Sequence, residues 1–555
     1  MLSVHNMISL TLTSLLLLTS SCHPEARKLF ASHDSKATPN TLLEKVDLEE
    51  HPVFAHKALG VASMPSFQGS KVTLNSDELE PGYLQVTNKD NLFYLLVRAK
   101  ISNAPLVIYF AGGPGASSIA PAFLENGPWN LNNPFHHEKN YKLTKNTWSW
   151  NKIANLVYLD QPRYVGFSYG EGAYSASTQA AGHDFLAWLR LFYQRYPEFI
   201  RRPLYLSGES FAGVYIGEYA HQVLQYNRQH PQNPINLSGL LVQSGEIGDE
   251  SDVSPYYQLF FLCTQGMLST NACQLKQRDN LRSILDGCVD NIANSKHIPP
   301  NEVKISDLTS ARNLSKLCRQ YLEEVELHYK ATYITIPNLP IFPEKIRGQT
   351  VPKPIGTVEF SKTSQVRRFL GYSPNPYNVR LTCKPNVDYP PWCYDNYKIN
   401  HFFNDKFVNF WLGRDIIPSH VTWQFANFLV AASLETSPII GLSDYYIEAL
   451  RNGIKAIFIY GKNDWVMNYF VTQVISNRIA YQAYGIPLFS QLPASPSELK
   501  SLTVIDGHER RYAGEYQTVL NFTFAQIDGA GHMVGMDRPA AVYKLFDEFL
   551  LGNSK

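Results

Sequence analysis

The stretch Leu204-Tyr205-Leu206-Ser207-Gly208-Glu209-Ser210-Phe211-Ala212-Gly213 narrows the folds open to this chain more than any other. Leu204 to Leu206 is a short apolar run that reads as a buried strand. It runs straight into Gly208, Ser210 and small residues. Val214, Tyr215, Ile216, Tyr219 and Ala220 then follow at helical spacing. The reading is strand, sharp turn, helix, with a serine at the apex. Such an elbow needs strained backbone angles and small flanking residues. It lifts the serine oxygen clear of a sheet and sets the next amide, that of Phe211, at a helix N-terminus where an oxyanion can be held. Ala212 stands in the last glycine place of the G-x-S-x-G pattern. The same letters also describe a glycine-rich turn with a capping serine, so the rest of the chain must decide.

Elsewhere strands and helices alternate. Tyr83–Val86 and Leu92–Val97 read as a strand pair, with a turn at residues 88–91. Leu106–Phe110 is a continuous apolar run, the mark of a parallel strand buried on both faces. It ends in Gly112-Gly113-Pro114-Gly115, where backbone must come close to something, and a loop amide such as that of Gly113 can serve as a second oxyanion donor. Ala154–Leu159 is the next strand, then an apolar-striped helix around Phe185–Phe192, and a further strand at Leu237–Val242. Between residues 248 and 442 the alternation breaks into prolines, cysteines and irregular polar stretches, which reads as an inserted cap. It returns with Lys455–Tyr460, ending at Asp464, and with Phe522–Ile527, ending at His532 in a glycine-framed loop. Such a histidine is expected to be exposed and mobile enough to reach across a cleft. Ala540–Leu551 reads as an amphipathic helix over the sheet. The expected organisation is a leader at 1–22, a polar lead-in at 23–50, one half of an α/β core at 51–247, the cap at 248–442 and the second half of the core at 443–555.

Composition excludes some classes. Of 555 residues only 17% are charged, and the formal net charge is +1. A nucleic-acid partner wants a basic surface, and none is indicated. No stretch beyond the N-terminus is long enough to span a bilayer as a helix. Ile8–Leu18 is apolar but short, and reads as the core of a secretory signal despite lacking Lys or Arg before it. Cys22, just after small residues, resembles a bacterial lipoprotein cleavage site, so a lipid anchor there is one reading. The other six cysteines, Cys263, Cys273, Cys288, Cys318, Cys383 and Cys393, all fall in the cap and suggest disulfides, with Cys383–Cys393 the first pair to try on proximity. Sequons stand at Asn236, Asn313 and Asn521. No metal, nucleotide or flavin site is indicated. His136, His137 and His508 lack partners at ligand spacing.

Ser210, Asp464 and His532 each end a predicted strand, in that chain order. This is the order of the α/β-hydrolase fold, where a cap between nucleophile and acid is common. The expected architecture is therefore a mixed, mostly parallel sheet flanked by helices, with a disulfide-containing cap. A serine hydroxyl is a poor nucleophile until a base takes its proton. His532 would do that, and Asp464 would fix its tautomer.

In several ordered segments the chain resembles the serine carboxypeptidase family. These are Gly112-Gly113-Pro114-Gly115 with Ser117-Ser118, Glu125 with Gly127-Pro128, Trp150-Asn151, Asp160-Gln161-Pro162 with Gly166-Phe167-Ser168-Tyr169, the Ser210 elbow, Tyr460-Gly461 with Asp464, and Gly529–Val534. The resemblance implies removal of single residues from the C-terminus of peptides, at acid pH, without a cofactor. It implies that Glu125 and Glu209, sharing a proton, hold the substrate carboxylate with the Gly112 amide beside them. Two adjacent carboxyls resist double ionisation, so one stays a hydrogen-bond donor. This chain departs from the pattern at Ala111 (usually asparagine), Tyr109 (often tryptophan), Ala116 (usually a cysteine bridged to the cap), Arg163-Tyr164, Gly535 and Arg538. Losing the asparagine removes about 1.5–3 kcal/mol of carboxylate recognition, which Arg163 or Arg538 would offset if either faced the pocket. Ala111 also keeps open an esterase or acyltransferase on this scaffold, and a non-catalytic protective protein is the third reading. Side-chain preference and oligomeric state, a dimer included, are not set by the sequence.

Overall fold

A computed structural model describes residues 79–135, 142–248, 256–265, 281–311, 315–322, 373–375, 377–383, 396–405, 417–434, 441–506 and 509–552, the single positions Val253 and Tyr394, and the short strands Lys345–Ile346 and Gln349–Thr350. The leader, Cys22, Cys273, Cys393, Asn313, His136, His137 and His508 lie outside the described residues.

Among the described residues the main sheet has eleven strands. Ten carry the fold: β1 Leu79–Gln85, β2 Asp90–Val97, β3 Leu106–Phe110, β4 Asn155–Leu159, β5 Leu204–Glu209, β6 Leu237–Gln243, β7 Lys455–Gly461, β8 Lys500–Asp506, β9 Glu509–Val519 and β10 Phe522–Ile527. The eleventh, Tyr169–Gly170, pairs with β2. Their order is β1-β2-β4-β3-β5-β6-β7-β10-β9-β8. From β4 to β10 every pair is parallel. The pairs at both ends are antiparallel. The chain runs from β3 out to β4 and then back across to β5. The strand order therefore reverses at β3/β5, and the crevice beyond the carboxyl ends of these two strands is where α/β sheets place ligands. Both Gly112 and Ser210 lie there.

The central strands β3 to β7 are almost wholly buried because both faces are covered, whereas β1 and β9 toward the ends are largely exposed or half-buried. On one face lie the helices α1 Thr178–Arg195, α2 Ala212–Gln229, α3 Leu442–Arg451 and α4 Tyr469–Tyr484. Phe110 at the end of β3 meets Phe185 and Tyr219 of that layer, each at 5.4 Å between ring centroids. Its neighbour Tyr109 points the other way, toward Trp150 at 6.1 Å, as strand alternation requires. On that second face α5, Pro539–Leu551, closes the layer, with Phe546 stacked on Trp150 at 3.9 Å. Fully burying one such ring is worth about 1.5–3 kcal/mol. Ser177 caps α1 by accepting from the Ala180 amide, and Gly485 ends α4 in the left-handed conformation, the usual stop signal.

The segment between β6 and α3 is not a separate layer on its whole length. Ile399, Phe402, Phe403 and Trp423 join the second-face core beside Phe123 and Phe167. A disulfide links Cys288 to Cys318, and Cys263 is also disulfide-bonded. Where the family's cysteine is replaced by Ala116, backbone makes the tie instead. Ala116 and Ala426 form an antiparallel bridge, the Ser117 amide donates to Phe425 O at 2.9 Å, and the Asn427 amide donates to Gly115 O at 2.9 Å. Among the described residues no helix is long and apolar enough to cross a membrane. Of the sequons, Asn236 is exposed, whereas the Asn521 amide nitrogen donates to Ile454 O.

Candidate active site

Ser210 sits at the tip of the elbow between β5 and α2 with φ +62°, a conformation that costs a non-glycine residue energy and persists only when the surroundings fix it. Three backbone bonds do so. Its amide donates to Gln243 O at 3.0 Å, and its carbonyl accepts from the amides of Gly213 and Glu246. Gly112 packs directly against this turn. A Cβ at Gly112 would lie 2.5 Å from Glu209 O and 2.6 Å from both the Phe211 nitrogen and the Ser210 Cβ, so only glycine fits. Gly113, which follows, has φ +109°. The glycine loop is pinned from below by the buried Asp160. The Ser117 hydroxyl donates to Asp160 Oδ1 at 2.7 Å, the Phe167 amide donates to Oδ2 at 2.9 Å, and the Trp423 indole donates to Ser117 Oγ at 2.9 Å. Burial lifts the Asp160 carboxyl to about 7, with the Ser117 hydrogen bond opposing.

Asp464 and His532 follow adjacent parallel strands, β7 and β10. Cross-loop bonds hold them in register: Lys462 N to Ile527 O at 3.0 Å and Asn463 N to Ala530 O at 2.8 Å. His532 Nδ1–H donates to Asp464 Oδ2 at 2.7 Å, and the other carboxylate oxygen accepts from the Met467 amide at 3.1 Å. The expectation of an exposed, mobile histidine is corrected: His532 is 1% exposed. The cause is a hairpin of the inserted segment, Ser373–Asn375 with Asn378–Cys383. Tyr377 O accepts from the His532 amide at 2.6 Å, and the Tyr377 ring meets the imidazole edge-on at 4.6 Å. The Val379 amide donates to Asn463 O, and Asn378 Nδ2 donates to Asp537 Oδ2, which also accepts from the Gly531 amide. One hairpin thus straps down both loops. Nε2 of His532, the nitrogen expected to face Ser210, has no hydrogen-bond partner among the described residues.

Glu209 ends β5, one residue before Ser210. Glu125 follows a short helix, Pro121–Leu124, and its carbonyl accepts from Asn146 Nδ2 at 2.9 Å. Both carboxyls are buried, and each acts on the other's protonation. Burial drives both above the usual carboxyl range. For Glu209 the charges of Glu125 and Asp464 add to it, and for Glu125 the bond from Glu209 partly opposes it. The pair therefore keeps a proton. Oε2 of each carboxyl has no partner among the described residues. Gly535, in place of the family's proline, leaves room beside Glu125. A Cβ there would fall 2.6 Å from its Oε2.

Neither arginine offsets the asparagine lost at Ala111. Arg163 Nε and Nη2 both donate to Asp184 at 2.7 Å, and Nη1 lies 3.1 Å from Asp90. Arg538 is exposed and donates to Asp528 O. The Ala111 amide is itself used, donating to Ser118 Oγ at 3.0 Å.

The family model for serine carboxypeptidases matches residues 68–552. The chain belongs to the serine carboxypeptidase family. Among curated proteins it is similar to carboxypeptidase Y homolog A of Coccidioides posadasii (strain C735), 28% identical over 491 residues, covering 87% of this chain and 76% of that protein. A carboxypeptidase Y homolog A of Fusarium vanettenii is 27% identical over 500 residues, with 87% and 76% covered. Among solved structures it is similar in fold to a prohormone-processing carboxypeptidase from Saccharomyces cerevisiae, at TM-score 0.59 and 21% identity, covering 85% of this chain and 90% of that one. The α/β-hydrolase fold and the serine carboxypeptidase family expected from the sequence are thus borne out. Tyr377, Asn378 and Asp537, which brace the histidine loop, carried no signal in the sequence, because they act through a contact between distant segments.

Proposed function

We propose that this protein is a serine carboxypeptidase that releases the C-terminal residue of peptides through an acyl-enzyme on Ser210. The observation that carries the reading is the buried carboxyl pair Glu125 and Glu209, both pushed above the ordinary carboxyl range by burial, with Glu209 one residue before the elbow serine. A general hydrolase has no use for it, but a free C-terminal carboxylate needs a neutral carboxyl to donate to it.

In the proposed reaction, Nε2 of His532 takes the Ser210 proton as Oγ attacks the scissile carbonyl. Asp464 holds Nδ1 protonated and stabilises the imidazolium. The oxyanion faces the amides of Gly113 and Phe211. The C–N bond breaks, and Nε2 returns the proton to the departing amine. Water then attacks the ester by the same path in reverse, freeing the shortened peptide. Glu125, Glu209 and the Gly112 amide hold the departing residue's carboxylate through acylation, and the freed residue leaves before water enters. The Cys288–Cys318 bridge supports passage through an oxidising compartment, in keeping with a secretory leader at 1–22.

The test compares blocked dipeptides with free and with amidated C-termini, with Ser210→Ala as the control. Faster release from the free acid at pH 5, lost in Ser210→Ala, is the expected result. Equal turnover of acid and amide at every pH would refute the reading.

A further inference from the structure

Tyr109, Ser207, Glu209 and Gln243 lie toward the carboxyl ends of three neighbouring strands and share one face of the sheet. Tyr109 is in register with Ser207 across β3 and β5, and Glu209 with Gln243 across β5 and β6. Side chains two apart on a strand point the same way, so all four stand on the face where Tyr109 meets Trp150. Each is buried, Gln243 at 0% exposure. A buried carboxamide needs partners at both of its ends. Gln243 Nε2 donates to the Tyr109 hydroxyl at 3.4 Å. Its Oε1 has no partner among the described residues, and neither has Oε2 of Glu125. A Cβ on Gly535 would fall 2.6 Å from that Glu125 oxygen and 3.5 Å from Gln243 Oε1. Both oxygens therefore border one small space. Two acceptor oxygens satisfy each other only where one of them carries a proton. An amide oxygen carries none, so the proton belongs to Glu125. The Ser207 hydroxyl is also without a partner among the described residues, but it lies two residues before Glu209, one pleat deeper and farther from the crevice.

We propose that Gln243 is a positioning residue that holds Glu125 neutral: Gln243 Oε1 accepts the Glu125 O–H, Glu209 is left as the donor to the substrate carboxylate, and this bond sets the upper pH limit of peptide binding. The inference rests on the carboxypeptidase reading. The surroundings agree with it. The other titratable groups that act on the pair are Tyr109 and Tyr158 from the sheet, Tyr394 from the inserted segment, Asp464 after β7 and Asp537 before α5. None of these is a cation, so none favours an ionised Glu125. Burial raises the Glu125 carboxyl, and a neutral acceptor such as an amide oxygen stabilises the protonated form further.

The experiment uses the full-length protein and one blocked dipeptide in free-acid and amidated forms, from pH 5 to pH 9. In the wild type KM for the acid is expected to rise above neutral pH and KM for the amide to stay level. Gln243→Met keeps the volume and removes the amide. Its rise in KM for the acid should come about one pH unit lower, the scale of one hydrogen bond. At the wild-type midpoint its KM is then about fivefold higher, while at pH 5 the two proteins agree within about twofold. A purely structural role would move acid and amide together and leave the midpoint in place. Gln243→Asn, which keeps an amide in the core but draws it back by one carbon, should shift the midpoint in the same direction, and it decides if Gln243→Met does not fold. A midpoint that stays put or moves up, or a change equal for acid and amide, would overturn the role of Gln243 alone. A wild type that treats acid and amide alike at every pH would overturn the carboxypeptidase reading and this inference with it.

Discussion

His532 and Asp464 stand 68 positions apart in the chain, yet their side chains meet at 2.7 Å with both residues buried. The adjacency of β7 and β10 brings this about, and the hairpin around Tyr377 seals it. A buried carboxylate on Nδ1 dictates which imidazole nitrogen is free, so Nε2 is left to serve as the base of the proposed reaction. Asp464→Asn should keep the geometry but favour the wrong tautomer. We expect kcat to fall about 10³–10⁴-fold with little change in KM. Steady-state kinetics on a blocked dipeptide, with circular dichroism to show the fold intact, is the check. A loss below tenfold would remove Asp464 from the mechanism.

Asp160 touches no expected substrate atom, yet it organises the loop carrying Gly113. In Asp160→Ala the Ser117 hydroxyl and Phe167 amide lose their buried acceptor. Each stranded donor costs about 1–3 kcal/mol. Thermal unfolding should shift down by several degrees. kcat should fall as well, since the Gly113 amide loses its support. Wild-type melting and kcat together would show that the loop is held by its backbone ties to Phe425 and Asn427 alone.

The bridge from Cys288 to Cys318 closes a stretch of 30 residues. Its removal by Cys288→Ser with Cys318→Ser should cost about 2–4 kcal/mol, chiefly by freeing the unfolded chain. Catalysis at 25 °C should survive. Denaturant melts followed by fluorescence and by activity would separate the two effects. Equal stability of the double variant and the wild type would count against the bridge.

What the sequence revealed and concealed divides along one physical line. The elbow, the glycine loop and the two strand-end residues Asp464 and His532 were legible because each is a local pattern: an apolar run, then residues that a sharp turn demands. The burial of His532 was not. It depends on a hairpin reached through a long irregular segment, whose pairing with the 461–464 and 530–532 loops leaves no periodic trace. The antiparallel ribbon β8–β9 was missed for a different reason. Arg510, Arg511, Glu515 and Gln517 make β9 look like a polar loop, yet charged residues are what an edge ribbon carries to avoid pairing with other chains. The fates of Arg163 and Arg538 were likewise hidden, because a cation's partner is a matter of three-dimensional neighbours.

The Glu125–Glu209 pair makes binding and stability depend on pH in a direction that can be worked out. Both carboxyls titrate above their ordinary range, because burial penalises the charge. The folded protein therefore binds protons that the unfolded chain has already released. Stability from the pair is full below the unfolded carboxyl value and is lost as pH rises toward the raised folded values. In the proposed reaction substrate binding follows the same sign: the pair would donate to the substrate carboxylate while protonated and repel it once both ionise. KM for a free-acid dipeptide should rise steeply above neutral pH, while KM for the matching amide should not. In Glu125→Gln the side chain is a permanent neutral donor, so the pH dependence of KM and of the melting temperature should both flatten. KM measured from pH 5 to pH 9 for both substrates, alongside thermal melts of both proteins, tests this. A wild-type KM that stays constant across that range, or falls with rising pH, would mean the pair does not hold the substrate carboxylate.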